Sequence, residues 1–194
     1  FGSQGVRAEI DDGVIDVLEH YEHDPRFGKW DYLPEGRAIP ALGVVGTSAM
    51  EQRILRLTAE PRKYGFVSRL LVEIDHDAAA RARFEAALAA LCPSVRYLGV
   101  TAAHPAGALS SRGGPATTID RIAASEREAV LLAADATLLR WERSVVLIDR
   151  PELAASEPDA AARLAGLRTL AEGAQLVLAT SSPGVLANVD PASV

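Results

Sequence analysis

Between Ser144 and Pro183 the chain reads as strand, helix, strand. The first strand is Val145-Val146-Leu147-Ile148-Asp149 and the second is Gln175-Leu176-Val177-Leu178-Ala179-Thr180. An Ala/Leu-rich amphipathic segment, Asp159 to Glu172, lies between them. Nearly continuous apolar strands are the pattern of a parallel sheet covered on both faces. Strands alternating with helices predict an α/β architecture. In such sheets ligands bind outside the carboxyl ends of the strands. Chemistry is therefore expected at Asp149 and at Ser181-Ser182-Pro183, just beyond the two strands.

The remainder is read around this unit. Val6–Ile10 and Val14–Tyr21 alternate apolar and polar residues about Asp11-Asp12-Gly13, which predicts an N-terminal antiparallel β-hairpin. Residues 22–48 read as a long connection, tacked to the body by Trp30, Tyr32 and Leu33. Ala49–Glu60 has helical spacing, with Ser48 as its N-cap. Val67–Ile74 fits a strand or the start of a helix. Ala78–Leu91 is a helix that ends before Pro93, and Val95–Val100 is a short strand. Residues 101–117 read as loop, and Thr118–Leu139 as a long helix in one piece or two.

Composition narrows the function classes. The chain has 194 residues, 48% of them hydrophobic and only 5% aromatic, so its core is built from Ala, Leu and Val. A net charge of −6 argues against a strongly basic nucleic-acid binder. The single cysteine, Cys92, excludes an internal disulfide and a cysteine-rich zinc site; it is expected to pack as a small apolar side chain. There is no apolar run long enough for a membrane span and no signal-peptide pattern, so a cytoplasmic protein is expected. Phe1-Gly2-Ser3-Gln4-Gly5 is read as the interior of a longer chain. His20 and His23, with Glu19, Glu22 and Asp24, read as a solvated strand end. Ser110-Ser111-Arg112-Gly113-Gly114 reads as a flexible loop before an anion-binding nest.

The run Val-Val-Leu-Ile-Asp-Arg-Pro-Glu-Leu, residues 145–153, resembles the Walker B segment "LIDEPEL" of ABC-type ATPases related to the RecF, SMC and OLD groups. The resemblance spans about residues 110–194. It implies a P-loop-NTPase-like parallel sheet flanked by helices. Residues 1–109 carry no such resemblance and are read as the N-terminal hairpin and a variable α/β segment. The resemblance assigns Mg²⁺ to Asp149. At the next position the family carries the glutamate that polarises the attacking water; here it is Arg150, which stays protonated and cannot accept a proton. Arg150 could hold a phosphate oxygen or pair with an acid instead. Glu152 is a candidate substitute base. Family members often read "ATHSP" where this chain has Ala179-Thr180-Ser181-Ser182-Pro183, so Ser181 stands at the γ-phosphate-sensing histidine. Ile122-Ala123-Ala124-Ser125-Glu126 has the place of the signature motif "LSxGE", which implies that Ser125 and Glu126 face a partner's nucleotide.

The Walker A pattern is missing, since Gly43-Val44-Val45-Gly46-Thr47-Ser48 has no lysine and the wrong spacing. Either the phosphate loop lies upstream of Phe1 or the protein never had one. Altered residues in all three motifs favour a degenerate ATPase, a nucleotide-fold scaffold or regulatory subunit with weak or no hydrolysis. The alternatives are one part of an active ATPase that binds ATP and Mg²⁺ as a dimer, and an unrelated α/β interaction domain. A homodimer or a larger protein complex is expected. Nucleic acid is not indicated.

Overall fold

The computed structural model describes residues 26, 28–40, 55–56, 58–59 and 61–190. The hairpin expected over 6–21, the Gly43–Ser48 segment, His20 and His23 lie outside the described residues, as does most of the expected helix over 49–60.

The centre of the fold is a three-stranded parallel sheet in the order β1–β4–β5. Here β1 is Trp30–Leu33, β4 is Val145–Asp149 and β5 is Gln175–Ala179. Trp30 pairs with Val145 and Leu33 with Ile148, while Val145 pairs with Gln175 and Asp149 with Ala179. All three carboxyl ends therefore lie along one edge. The helix α4, Glu157–Leu170, joins β4 to β5. Ser156 caps it by accepting from the Asp159 amide, and Pro158 sits in the first turn, where its missing N–H is harmless.

Between β1 and β4 the chain forms α1 (Phe66–Glu73), α2 (Ala78–Leu91), β2 (Val95–Thr101), β3 (His104–Ser111) and α3 (Ala124–Leu139). Asp77 caps α2 by accepting from the amides of Ala79 and Ala80. The strands β2 and β3 make a separate antiparallel pair that packs on α1. A short helix, α5 (Pro183–Leu186), follows β5.

One hydrophobic cluster runs from Leu33 through α1, α2 and α3 to Val146, Ile148 and Leu167, so residues on both sides of position 110 share a core. Its largest fully buried side chains include Trp141, Tyr64 and Phe84. Phe84 meets Tyr97 edge-on, with ring centroids 5.7 Å apart. The helix α2 packs against both α3 and α4. Gly166 makes the second contact possible, because a Cβ there would lie 2.4 Å from the Ala90 carbonyl oxygen. Half-buried Cys92 packs against the same cluster.

The structure corrects the sequence reading in several places. Trp30–Leu33 is not a tacked connection but a strand, the outer one on its side of the sheet among the described residues, with Leu33 fully buried. Residues 104–111 are not loop: Gly107 to Ser110 are buried against the body, and pairing with β2 holds a segment of poor β-propensity extended. Val67–Ile74 resolves as helix, and Thr118–Leu139 as a 3₁₀ turn at Ile119–Arg121 followed by α3. The strand β5 is not covered on both faces. It is the outer strand among the described residues, half-exposed along its length, with Val177 45% exposed.

Candidate functional site at the carboxyl edge of the parallel sheet

Asp149 ends β4 half-buried, and among the described residues none donates to its carboxylate. Its main chain, by contrast, is tightly held. The Arg37 guanidinium, with no exposed side-chain surface, donates to the carbonyls of Asp149 (2.6 Å) and Arg150 (2.9 Å). It donates also to the carbonyls of Leu33 (3.3 Å) and Pro34 (2.8 Å), and through Nε to the Glu128 carboxylate of α3. One side chain thus ties the loop after β1, the loop after β4 and helix α3 together. Burial pushes the Glu128 carboxyl up from its ordinary range, and the Arg37 charge pulls it back.

Arg150 takes up a left-handed backbone conformation, φ 50°. This turns its side chain along the sheet edge, where the guanidinium hydrogen-bonds the Glu35 carboxylate and lies 3.8 Å from Glu152. The Glu35 bond holds the guanidinium above its already high ordinary pKa. Arg150 is therefore a paired cation at the position next to Asp149.

Glu152 is engaged on its other side by the Thr180 hydroxyl at 2.9 Å, which links the turn after β4 to the end of β5. The Thr180 hydroxyl in turn accepts from the Ser182 amide at 3.0 Å. The Ser182 hydroxyl donates to Glu157 at 2.9 Å and accepts from the Val185 amide, capping α5. Ser181 itself is exposed at this edge.

Ser125 and Glu126 lie in the first turn of α3. The Ser125 carbonyl accepts from Arg163 at 3.0 Å, and Arg163 also donates to Leu153 O at 2.6 Å, so the start of α3 is fastened to the turn after Asp149. Glu126 is buried; its carboxylate accepts from the Ser111 hydroxyl (2.6 Å) and the Ala123 amide (3.0 Å). That is the acidic half of a capping box, with Ala123 unable to supply the other half.

The sheet edge therefore gathers Asp149, Arg150, Glu152 and Ser181, with Ser125 joined to them through Arg163. Glu126 instead faces the β3 end of the molecule through Ser111. The sequence reading missed Glu35, Arg37, Glu128 and Arg163. Arg163 had a visible signal, because it shares the stripe Ala160, Arg163, Leu164, Leu167 that α4 buries. A charge on an apolar stripe is a charge with a buried partner.

A hydrated divalent cation fits Asp149, whose half-buried carboxylate accepts from no described residue. Among the described residues no cluster of three or more His, Cys, Asp or Glu side chains could enclose a metal ion, so a cation here would keep most of its water shell. A triphosphate does not fit the described residues. Of the guanidiniums that reach the edge, that of Arg37 is spent on carbonyls and Glu128, that of Arg150 on Glu35, and that of Arg163 on the carbonyls of Leu153 and Ser125.

No family model and no curated protein matches the sequence. Solved structures of SMC ATPases are similar to it. One, from work on ATP-driven dimerization and DNA-stimulated activation of SMC ATPases, has 14% identity and a TM-score of 0.49 over 63% of this chain and 78% of the other. An Smc head bound to the C-terminal winged-helix domain of ScpA has 13% identity and a TM-score of 0.48, over 74% of this chain and 56% of the other. The Smc head domain with an extended coiled coil bound to the C-terminal domain of ScpA, derived from Pyrococcus furiosus, has 18% identity and a TM-score of 0.45. That match covers 73% of this chain and 39% of the other.

Proposed function

We propose that this chain is an ATPase-like nucleotide fold that serves as a scaffold or regulatory subunit, with weak or no ATP hydrolysis. The observation that carries the reading is the pairing of Arg150 with Glu35 beside Asp149. A hydrolytic site needs a proton acceptor next to the metal-holding acid. Here that position holds a cation, and the nearby Glu152 is occupied by Thr180 and Arg150. Asp149 retains the capacity to hold Mg²⁺ through water, and Ser181 offers a hydroxyl at the same edge. Ser125 and the start of α3 would face a partner subunit, so a homodimer or a larger complex is part of the reading. No described helix is long and apolar enough to cross a membrane, and a cytoplasmic location is proposed with it.

The uncommitted carboxylate of Asp149 favours a second reading, in which the chain is part of a working ATPase with its phosphate loop in sequence before Phe1. Mg-ATP hydrolysis by the natural chain, run beside Asp149→Ala, separates the two: the second reading expects hydrolysis that Asp149→Ala abolishes, and the scaffold reading expects both at background. Arg150→Glu then tests the observation itself, since it supplies an acid next to Asp149. A gain of at least about tenfold would show that Arg150 is what withholds hydrolysis. No gain in a variant that still binds Mg-ATP would show that Arg150 is not the cause.

A further inference from the structure

Beneath the sheet, away from the carboxyl edge, lies a second cluster of charge. Asp31 of β1 and Asp135 of α3 are 1% and 2% exposed. Lys63, 4% exposed, reaches Asp31 Oδ1 at 3.4 Å, but its ammonium also donates to the carbonyls of Tyr32 and Arg56. Asp135 Oδ2 accepts from the Trp141 indole at 3.1 Å. Among the described residues Asp31 Oδ2 has no donor, although the Asp135 carboxyl is within hydrogen-bond reach of the Asp31 side chain. Two carboxylates that meet without a donor between them leave a buried acceptor orphaned and two like charges opposed.

We propose that Asp31 and Asp135 share one proton, forming a buried latch between β1 and α3. The proton turns the orphaned contact into an O–H···O⁻ bond, which is among the stronger hydrogen bonds a protein makes. Among the described residues, the charged and titratable groups around the pair are Lys63 and Tyr64 from the 3₁₀ turn Pro61–Gly65, and Arg56 from the segment before it, whose charge acts on Asp135. Lys63 favours ionised Asp31, while burial and the Asp135 charge oppose ionisation and dominate. The Tyr64 hydroxyl is buried without a partner and supplies no donor to either acid. A cavity of about 20 Å³ adjoins both aspartates, so a single water is the competing way to satisfy Asp31.

The sign of the pH dependence follows. An unfolded aspartate ionises near pH ~3.9. Folded Asp31 holds its proton to higher pH, so the latch stabilises fully below that value and is lost as pH rises toward the folded one. Asparagine mimics the protonated form, with an N–H in place of the O–H.

The test uses the whole chain. Infrared difference spectra in H₂O and D₂O at pH 7 should show a protonated-carboxyl C=O band that disappears in Asp31→Asn and persists in Glu128→Gln, which removes the other carboxyl that burial pushes up. Urea midpoints should show Asp31→Asn gaining on the natural chain steadily from pH 4.5 to 7. Absence of the band in the natural chain, or its persistence in Asp31→Asn, would overturn the proposal in favour of two ionised aspartates bridged by water. A midpoint difference that does not change with pH would overturn it as well.

Discussion

Arg37→Met tests the clamp at the sheet edge. The substitution keeps an unbranched side chain of similar length but removes every donor. Glu128, 5% exposed, then loses its partner, and the carbonyls of Pro34, Asp149 and Arg150 lose theirs. Breaking a buried ion pair from one side typically costs ~3–5 kcal/mol, because the remaining charge is left uncompensated. The Asp149 and Arg150 carbonyls are part-buried and can recover water, while the buried Pro34 carbonyl adds to the loss within this range. We expect a loss of about 4 kcal/mol by urea denaturation, or roughly 8–16 °C in Tm for a chain of this size. Glu128 already titrates above its ordinary range because it is buried, and removing Arg37 drives it further up. A raised carboxyl stabilises below its unfolded value and loses that stability as pH rises through the folded value. The cost of Arg37→Met should therefore shrink as pH falls from 7 toward 5. Adding Glu128→Leu removes the orphaned charge and should recover about half of the loss. A cost below ~1 kcal/mol, or a double variant no more stable than the single, would refute the clamp.

Two smaller perturbations test the packing around it. Gly166→Ala should destabilise by at least ~1 kcal/mol in thermal melts, since overpacking outweighs the gain in helix propensity; the new methyl would press on the Ala90 carbonyl. Glu126→Ala should lower stability by about 1 kcal/mol, because the Ala123 amide loses its acceptor at the start of α3. That loss should be reproduced in part by Ser111→Ala, which removes the hydroxyl on the other carboxylate oxygen.

The parts of the fold legible in the sequence were those whose local pattern agrees with their environment. Strand β4 and helices α2 and α4 are long or strongly patterned, and they were placed correctly. Strand β1 was not, because it is only four residues long and contains an aspartate. The charge of Asp31 suggests a surface turn, yet its carboxyl is buried against Asp135 and Lys63. Strand β3 was missed for a different reason. Its Pro, Gly and Ser content favours loop, and only pairing with β2 and packing on α1 keep it extended. The site divides in the same way. Asp149 was singled out because a buried strand ends there, and Arg150 because it stands at the glutamate position of the resemblance. Glu35, Arg37 and Glu128 were missed because their roles arise from contacts across more than 90 positions, as in Arg37 with Glu128 and Arg150 with Glu35. Arg163 alone carried a local sign, a cation on the buried stripe of α4.

The central claim is that the cation beside Asp149 leaves this fold without effective hydrolysis. The most direct measurement is phosphate release from Mg-ATP by the longest natural form of the chain, run beside Asp149→Ala. The account predicts that the two are indistinguishable, whether or not the natural chain binds ATP. Hydrolysis that depends on Asp149 and proceeds at several turnovers per minute would contradict it.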